Sequence, residues 1–123
     1  MSERGSKKVA ALVTDLFFMA KIKDAAGQAG LSVRFAMNGK EAVEVAEELP
    51  ELMILDLNCA AADSLQVIRS LKGREDLKDI PLVGFVSHVQ ADRRQHALDA
   101  GCDTVVPRSA FVQRLPEILG RRR

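Results

Sequence analysis

No apolar run in this chain approaches the ~20 residues that a bilayer-spanning helix needs. The start, Met1-Ser2-Glu3-Arg4-Gly5-Ser6-Lys7-Lys8, lacks the apolar centre of a secretory signal. An excess of one charge is missing too. The 18 basic and 17 acidic residues leave a formal net charge of +1, which gives nucleic acid no standing as the default partner. Cysteine is scarce. Cys59 and Cys102 stand far apart without metal-ligand spacing, so they read as reduced thiols. There is no low-complexity linker and no internal repeat. What remains is 123 residues, 47% of them apolar, which suits a single domain over 1–123 with a core of about 7–119. The expectation is a soluble, cytoplasmic protein. Arg121-Arg122-Arg123 is the one basic concentration, and at a terminus it reads as a frayed, solvated end.

Short runs that are apolar at every residue come next: Val9–Val13, Leu52–Leu55, Leu82–Val86 and the pair Val105-Val106. Such runs predict strands buried on both faces, as in a parallel sheet. Val33–Met37 alternates more and predicts a strand nearer an edge. Helical stripes lie between them. Phe18, Ile22, Ala25 and Ala29 form the first, stopped by Gly30. Ala42, Ala46 and Leu49 form the second, closed by Pro50. Leu65, Ile68 and Leu71 form the third, with Asp63 and Gln66 at capping-box spacing and Gly73 as the stop. Ala91–Ala100 is the fourth, ended by Gly101. Ser109 is expected to cap a fifth helix carrying Val112, Leu115 and Ile118, which Pro116 should kink or restart. Five β-α units predict a doubly wound, five-stranded parallel sheet of flavodoxin-like order, a (βα)5 three-layer sandwich.

Such sheets place their sites at the carboxyl ends of the strands. That rule selects Thr14 and Asp15, Asp56 and Asn58, Val86, Ser87 and His88, and Pro107 and Arg108. Asp15 and Asp56 end neighbouring strands. Two close carboxylates repel, and a divalent cation relieves the repulsion. Oxygen ligands of this kind suit Mg²⁺, and with a cation in place Asp56 has the chemistry of a phosphoryl acceptor. Arg108 adds fixed positive charge to the same rim. The plain alternative stays open: strand ends are where buried strands reach water, so polar residues collect there.

Other candidates are weaker. His88 sits on the rim and His96 further along, and either reads as an ordinary hydrogen-bonded residue. A Ser87–His88–Asp56 triad lacks the G-x-S-x-G elbow. Cys59 reads as a small residue near the rim, with no sequence sign of a reactive thiol. Phe85 and Phe111 read as core. A flavin or nucleotide carrier needs a small-residue phosphate loop after the first strand, and Thr14-Asp15-Leu16-Phe17 is acidic and bulky. DNA binding through Arg121–Arg123 lacks a recognition helix.

Several segments together resemble the response-regulator receiver family, the CheY-like modules of two-component phosphorelays. They are LVTDLFFMAKI (Leu12–Ile22), NGKEAVEVA (Asn38–Ala46), DLNCAAADSLQVIRSLK (Asp56–Lys72), DIPLVGFVSH (Asp79–His88) and AGCDTVVPRS (Ala100–Ser109). The resemblance places Asp56 at the phosphoacceptor position and Asp63 at the loop aspartate. It places Asp15 at one half of the Mg²⁺-holding acidic pair, with Thr14 at the other, and the backbone carbonyl of Asn58 as a metal ligand. Val86 stands at the switching hydroxyl position and Arg108 where the family carries lysine. Ser109 replaces the usual following proline, and Ala60, Ala61 and Ser64 replace loop residues that are often proline and glycine.

The departures have physical content. Thr14 removes one charge from the cation site, so Mg²⁺ binding is expected to be weak. Val86 has no hydroxyl for a phosphoryl oxygen. Ser87 has one, but a one-residue shift turns a strand side chain to the opposite face. Arg108 keeps the charge with a different geometry. It reads either as a phosphate contact or as a structural ion pair, with Asp56 its expected partner. The resemblance thus implies a non-enzymatic, atypical stand-alone receiver with phosphorylation at Asp56 weakened or absent. A working Asp56 switch with Mg²⁺ is the alternative, and a small flavodoxin-like enzyme is the remote one. Output would pass in trans to a protein partner: a histidine kinase, a phosphotransfer protein or a downstream target. The expected docking face combines the fourth helix, fifth strand and fifth helix, carrying Ala91, Arg94, Ala97, Val105 and Val112. The chain would act as a monomer or weak homodimer.

Overall fold

The computed structural model describes residues 7–87 and 91–120. Five strands alternate with five helices: β1 Lys8–Leu12, α1 Leu16–Gln28, β2 Ser32–Ala36, α2 Gly39–Ala46, β3 Leu52–Asp56, α3 Ser64–Lys72, β4 Leu82–Val86, α4 Ala91–Ala100, β5 Thr104–Pro107 and α5 Arg108–Gly120. The strands form one parallel sheet in the order β2-β1-β3-β4-β5. This is the predicted flavodoxin-like order, with β2 at an edge.

Side-chain alternation along the strands builds two separate cores. Ala10, Leu12, Met53, Leu55, Leu82 and Val86 face one side and pack with residues of α2, α3 and α4. Val9, Ala11, Leu52, Ile54, Val83 and Phe85 face the other and pack with α1 and α5. Central β3 and β4 are buried at every position, which is why their sequences are apolar throughout. Edge strand β2 alternates exposed and half-buried residues before ending in buried Ala36.

Several helix details differ from expectation. In α1 the buried residues are Phe18, Ile22 and Ala26, while Ala25 is half-buried and Ala29 exposed. Helical period alone leaves Ala25 and Ala26 both near the inward face, and packing in the α1–α5 core buries Ala26 while Ala25 lies at its margin. Leu49 is 63% exposed, because α2 stops at Ala46 and Leu49 turns into the left-handed region at φ 57°. In α3 the inward face is Val67, Ile68 and Leu71, with Leu65 half-buried. Asp63 does cap α3, its side chain accepting from Gln66 N at 3.2 Å.

The last unit needs two corrections. α5 begins at Arg108, directly after Pro107 ends β5, so Ser109 lies inside the first turn and is not its cap. Nor does Pro116 restart the helix, which runs unbroken to Gly120. Pro116 costs one backbone hydrogen bond. Phe111 and Leu115 before it and Leu119 after it are all buried in the same core, and that packing holds the helix together across the proline.

Candidate functional site

The carboxyl ends of β1, β3, β4 and β5 meet on one rim. Asp15 follows β1 and caps α1. Its Oδ1 accepts from Phe17 N at 2.9 Å and Phe18 N at 3.3 Å, satisfying amides that a helix N-terminus leaves without partners. Those are the donors a cofactor phosphate would need, so the cap itself opposes the carrier reading. The other oxygen, Oδ2, faces Arg108 Nη2 at 3.7 Å. Arg108 also lies over the Phe18 ring, 5.0 Å from its centroid. Sequence reasoning expected Arg108 to pair with Asp56. Among the described residues its ion pair is instead with Asp15, and it acts on Asp56 only through longer-range attraction. Both Asp15 and Arg108 are partly exposed, so their pair is worth at most about 1 kcal/mol.

Asp56 ends β3 and is 4% exposed. Its Oδ1 accepts from Asn58 N at 2.9 Å. Burial raises the carboxyl above its ordinary value, opposed by the Asn58 amide and the Arg108 charge, with Asp15 adding to the rise. An acid that binds its proton more tightly when folded weakens the fold as pH climbs. The penalty is absent below 3.8, grows as pH rises from there toward the folded-state value, and is complete only above that value. Asp56→Asn is therefore expected to raise the urea midpoint at pH 7. That advantage should disappear as the titration is repeated toward pH 3.8.

Two side chains matter here to which sequence reasoning gave no role. Ser64, 2% exposed, donates its hydroxyl to the Asp56 carbonyl at 2.7 Å. That bond fixes the β3–α3 loop under the site. The one hint was a small polar residue in the first turn of an otherwise apolar-faced helix. Asn58 was weighed only for its backbone carbonyl, yet its side-chain Oδ1 accepts from Ser87 N at 2.8 Å. No spacing rule signals an amide that reaches across to the next strand.

Thr14 Oγ1 lies 3.8 Å from Cys59 Sγ, where either atom can donate. Val86 is 3% exposed and faces the α2–α3–α4 core. Ser87 is half-buried, His96 is exposed, and His88 lies outside the described residues, as do Arg121–Arg123. Phe85 and Phe111 are fully buried, as expected for core. Burial pushes the Cys102 thiol up to about 11, so it stays protonated and unreactive at neutral pH. Native protein treated with iodoacetamide should be labelled at half-buried Cys59 before Cys102, read by peptide mass.

The expected docking face also changes. Ala97 and Val105 are core residues, 0% and 7% exposed, and Val112 is half-buried. Arg94 is exposed, and the side chain of Ala91 lies outside the described set. Ala97 of α4 and Val105 of β5 face inward into the α2–α3–α4 core, while Val112 of α5 packs against the core on the other side of the sheet.

An α/β sheet in this order, with an acidic residue at each of two adjacent strand ends and a cation from β5–α5, is the layout of a signalling receiver. Residues 14–119 match the response regulator receiver domain family, and the chain belongs to it. It carries the receiver domain of two-component response regulators. Among curated relatives, the Response regulator MprA of Mycobacterium tuberculosis is 34% identical over 95 residues, 76% of this chain and 39% of that protein. The homologue from Mycobacterium leprae is 33% identical over 87 residues, 70% of this chain and 37% of that one. The chain thus spans about two fifths of the length of these relatives. Solved structures agree on the fold. The response regulator from Hahella chejuensis superposes with a TM-score of 0.84 at 23% identity, covering 95% of each chain. The chemotaxis response regulator CheY4 of Vibrio cholerae gives 0.82 at 18%, covering 96% of this chain and 99% of that one.

Proposed function

We propose that this receiver acts as a protein-interaction module in which phosphorylation at Asp56 is weakened or absent. The observation that carries the reading is the engagement of Arg108. Its guanidinium is shared between the Asp15 carboxylate and the Phe18 ring, so recruiting it to a phosphoryl group on Asp56 means giving up both contacts. Two sequence features support it. Val86 offers no hydroxyl at the end of β4, and Thr14 leaves the acidic pair one charge short.

A divalent cation still has oxygens to bind. Asp15 Oδ2, the Asp56 carboxylate and the Asn58 carbonyl are the set that would hold Mg²⁺, whose charge would make Asp56 a better acceptor. The set fits such an ion weakly, because Asp15 Oδ1 already serves as a helix cap and Arg108 competes for Oδ2. The receiver domain of the sensor histidine kinase PA1611 from Pseudomonas aeruginosa, similar in fold, has a magnesium ion coordinated in its active-site cleft. Output in this reading comes from contact with a kinase, a phosphotransfer protein or a downstream target, with exposed Arg94 on the α4–β5–α5 side.

The test is incubation with acetyl phosphate and Mg²⁺ followed by intact mass. The expected result is far less than one adduct per chain, and no change of the amide spectrum with beryllofluoride. A stoichiometric acyl-phosphate adduct, lost in Asp56→Asn, overturns the proposal and restores the working switch.

A further inference from the structure

The ladder between β3 and β4 is finished by a side chain. Leu57 N donates to Phe85 O at 3.0 Å. In a regular parallel ladder the next bond runs from Ser87 N to Leu57 O. Here Ser87 N donates to the side-chain Oδ1 of Asn58 at 2.8 Å. The backbone of the same residue points the other way. Asn58 N donates to Asp56 Oδ1 at 2.9 Å, closing a turn in which the aspartate side chain binds the amide two residues on. Below the turn, the Asp56 carbonyl accepts from Cys59 N at 3.1 Å and Ser64 Oγ at 2.7 Å, so its main chain is anchored. Asn58 therefore grips the Asp56 carboxylate with its amide and the end of β4 with its side chain.

We infer that Asn58 is a positioning residue that transmits the state of the Asp56 carboxylate to Ser87, by a route that does not use the Val86 side chain. The Asp56 backbone is anchored through its carbonyl, so a change at Oδ1 falls first on the Asn58 amide that donates to it. The Asn58 side chain, with two torsions and one planar amide, carries that displacement to the Ser87 amide. Val86, 3% exposed and packed in the core, has no polar atom with which to do the same. The coupling goes beyond the weak-phosphorylation reading and stands whether or not Asp56 accepts phosphate, because any change at the carboxylate drives it.

The experiment follows the Ser87 amide by proton–nitrogen NMR in the full chain. Four proteins are compared: wild type, Asp56→Ala, Asn58→Ala and the double variant. Neither a phosphodonor nor a metal is added, so the outcome is independent of the phosphorylation assay. Asn58→Ala should speed exchange of the Ser87 amide about 5- to 10-fold, as loss of one hydrogen bond implies. Asp56→Ala should shift the Ser87 resonance and speed its exchange when Asn58 is present, and add nothing when it is absent. The amide of Met53, which donates to Pro81 O at 2.9 Å at the far end of β3, reports global opening, and each Ser87 rate is read relative to it. Asn58→Asp keeps an acceptor oxygen and should retain the Ser87 response to Asp56→Ala. A purely static cap would leave Ser87 indifferent to Asp56→Ala. That indifference, or an equal response in the Asn58→Ala background, overturns the inference.

Discussion

Phe85→Ala should lower the unfolding free energy by about 3–5 kcal/mol, seen as a fall in the urea midpoint with little change in slope. Phe85 lies fully buried on β4. Its ring stacks on Phe111 of α5 with centroids 4.1 Å apart, and it meets Phe18 of α1 at 5.0 Å. Phe18 and Phe111 close the group at 5.9 Å. The three rings join the sheet to both helices of one layer, so truncation opens a cavity that a strand cannot close by sliding. Folded domains of this size hold only about 5–15 kcal/mol in total, so the loss is a large fraction of the whole. The same change reaches the site, because Phe18 is the ring on which Arg108 rests. A Phe85→Leu variant, which refills most of the volume, should recover much of the loss. If Phe85→Ala unfolds at the wild-type midpoint, the ring cluster is not what joins these layers.

Gly84→Val should cost about 1–3 kcal/mol by the opposite route, overpacking. Gly84 sits in the middle of β4, paired with Leu55 of β3 and Val105 of β5. A Cβ there would lie 3.0 Å from Leu57 Cδ1 and 3.1 Å from its Cγ, and valine adds two methyl groups beyond it. Leu57 is itself 2% exposed and immediately follows Asp56, so it yields by leaving its rotamer or by moving the end of β3. The variant should therefore lose stability and also broaden or shift the Asn58 and Ser87 amides. Gly84→Ala should show the same pattern at smaller amplitude. Wild-type stability in Gly84→Val would mean that Leu57 has room the packing does not show.

The strands were legible because β3 and β4 are covered on both faces, leaving LMIL and LVGFV without a polar residue. Strand order followed from crossover length and handedness, since a parallel sheet leaves few other arrangements. Helix faces were less legible. Ala25 and Ala26 are equivalent in composition, and only the packed turn decides which of them is buried. Leu49 misled for a local reason, a left-handed residue after α2 that no hydropathy pattern announces. At the site, Asp15, Asp56 and Arg108 did come together on one rim, but the partner of Arg108 was misjudged. That choice depends on how the Asp15 cap turns its second oxygen, an angle absent from residue spacing. Asn58 and Ser64 escaped for a related reason: each acts through one directed hydrogen bond, and direction belongs to the folded chain.

β5 passes into α5 without a connecting residue, Pro107 ending one and Arg108 opening the other. A loop at that junction would act as a hinge and let strand and helix move independently. With none, the rim guanidinium and the buried far end of the helix at Leu119 belong to one stiff lever about 18 Å long. A ligand that pulls Arg108 off Asp15 has no slack to take up. It must either leave the helix where it is and bend only the side chain, or turn the helix as a whole against the Phe85 and Phe18 rings.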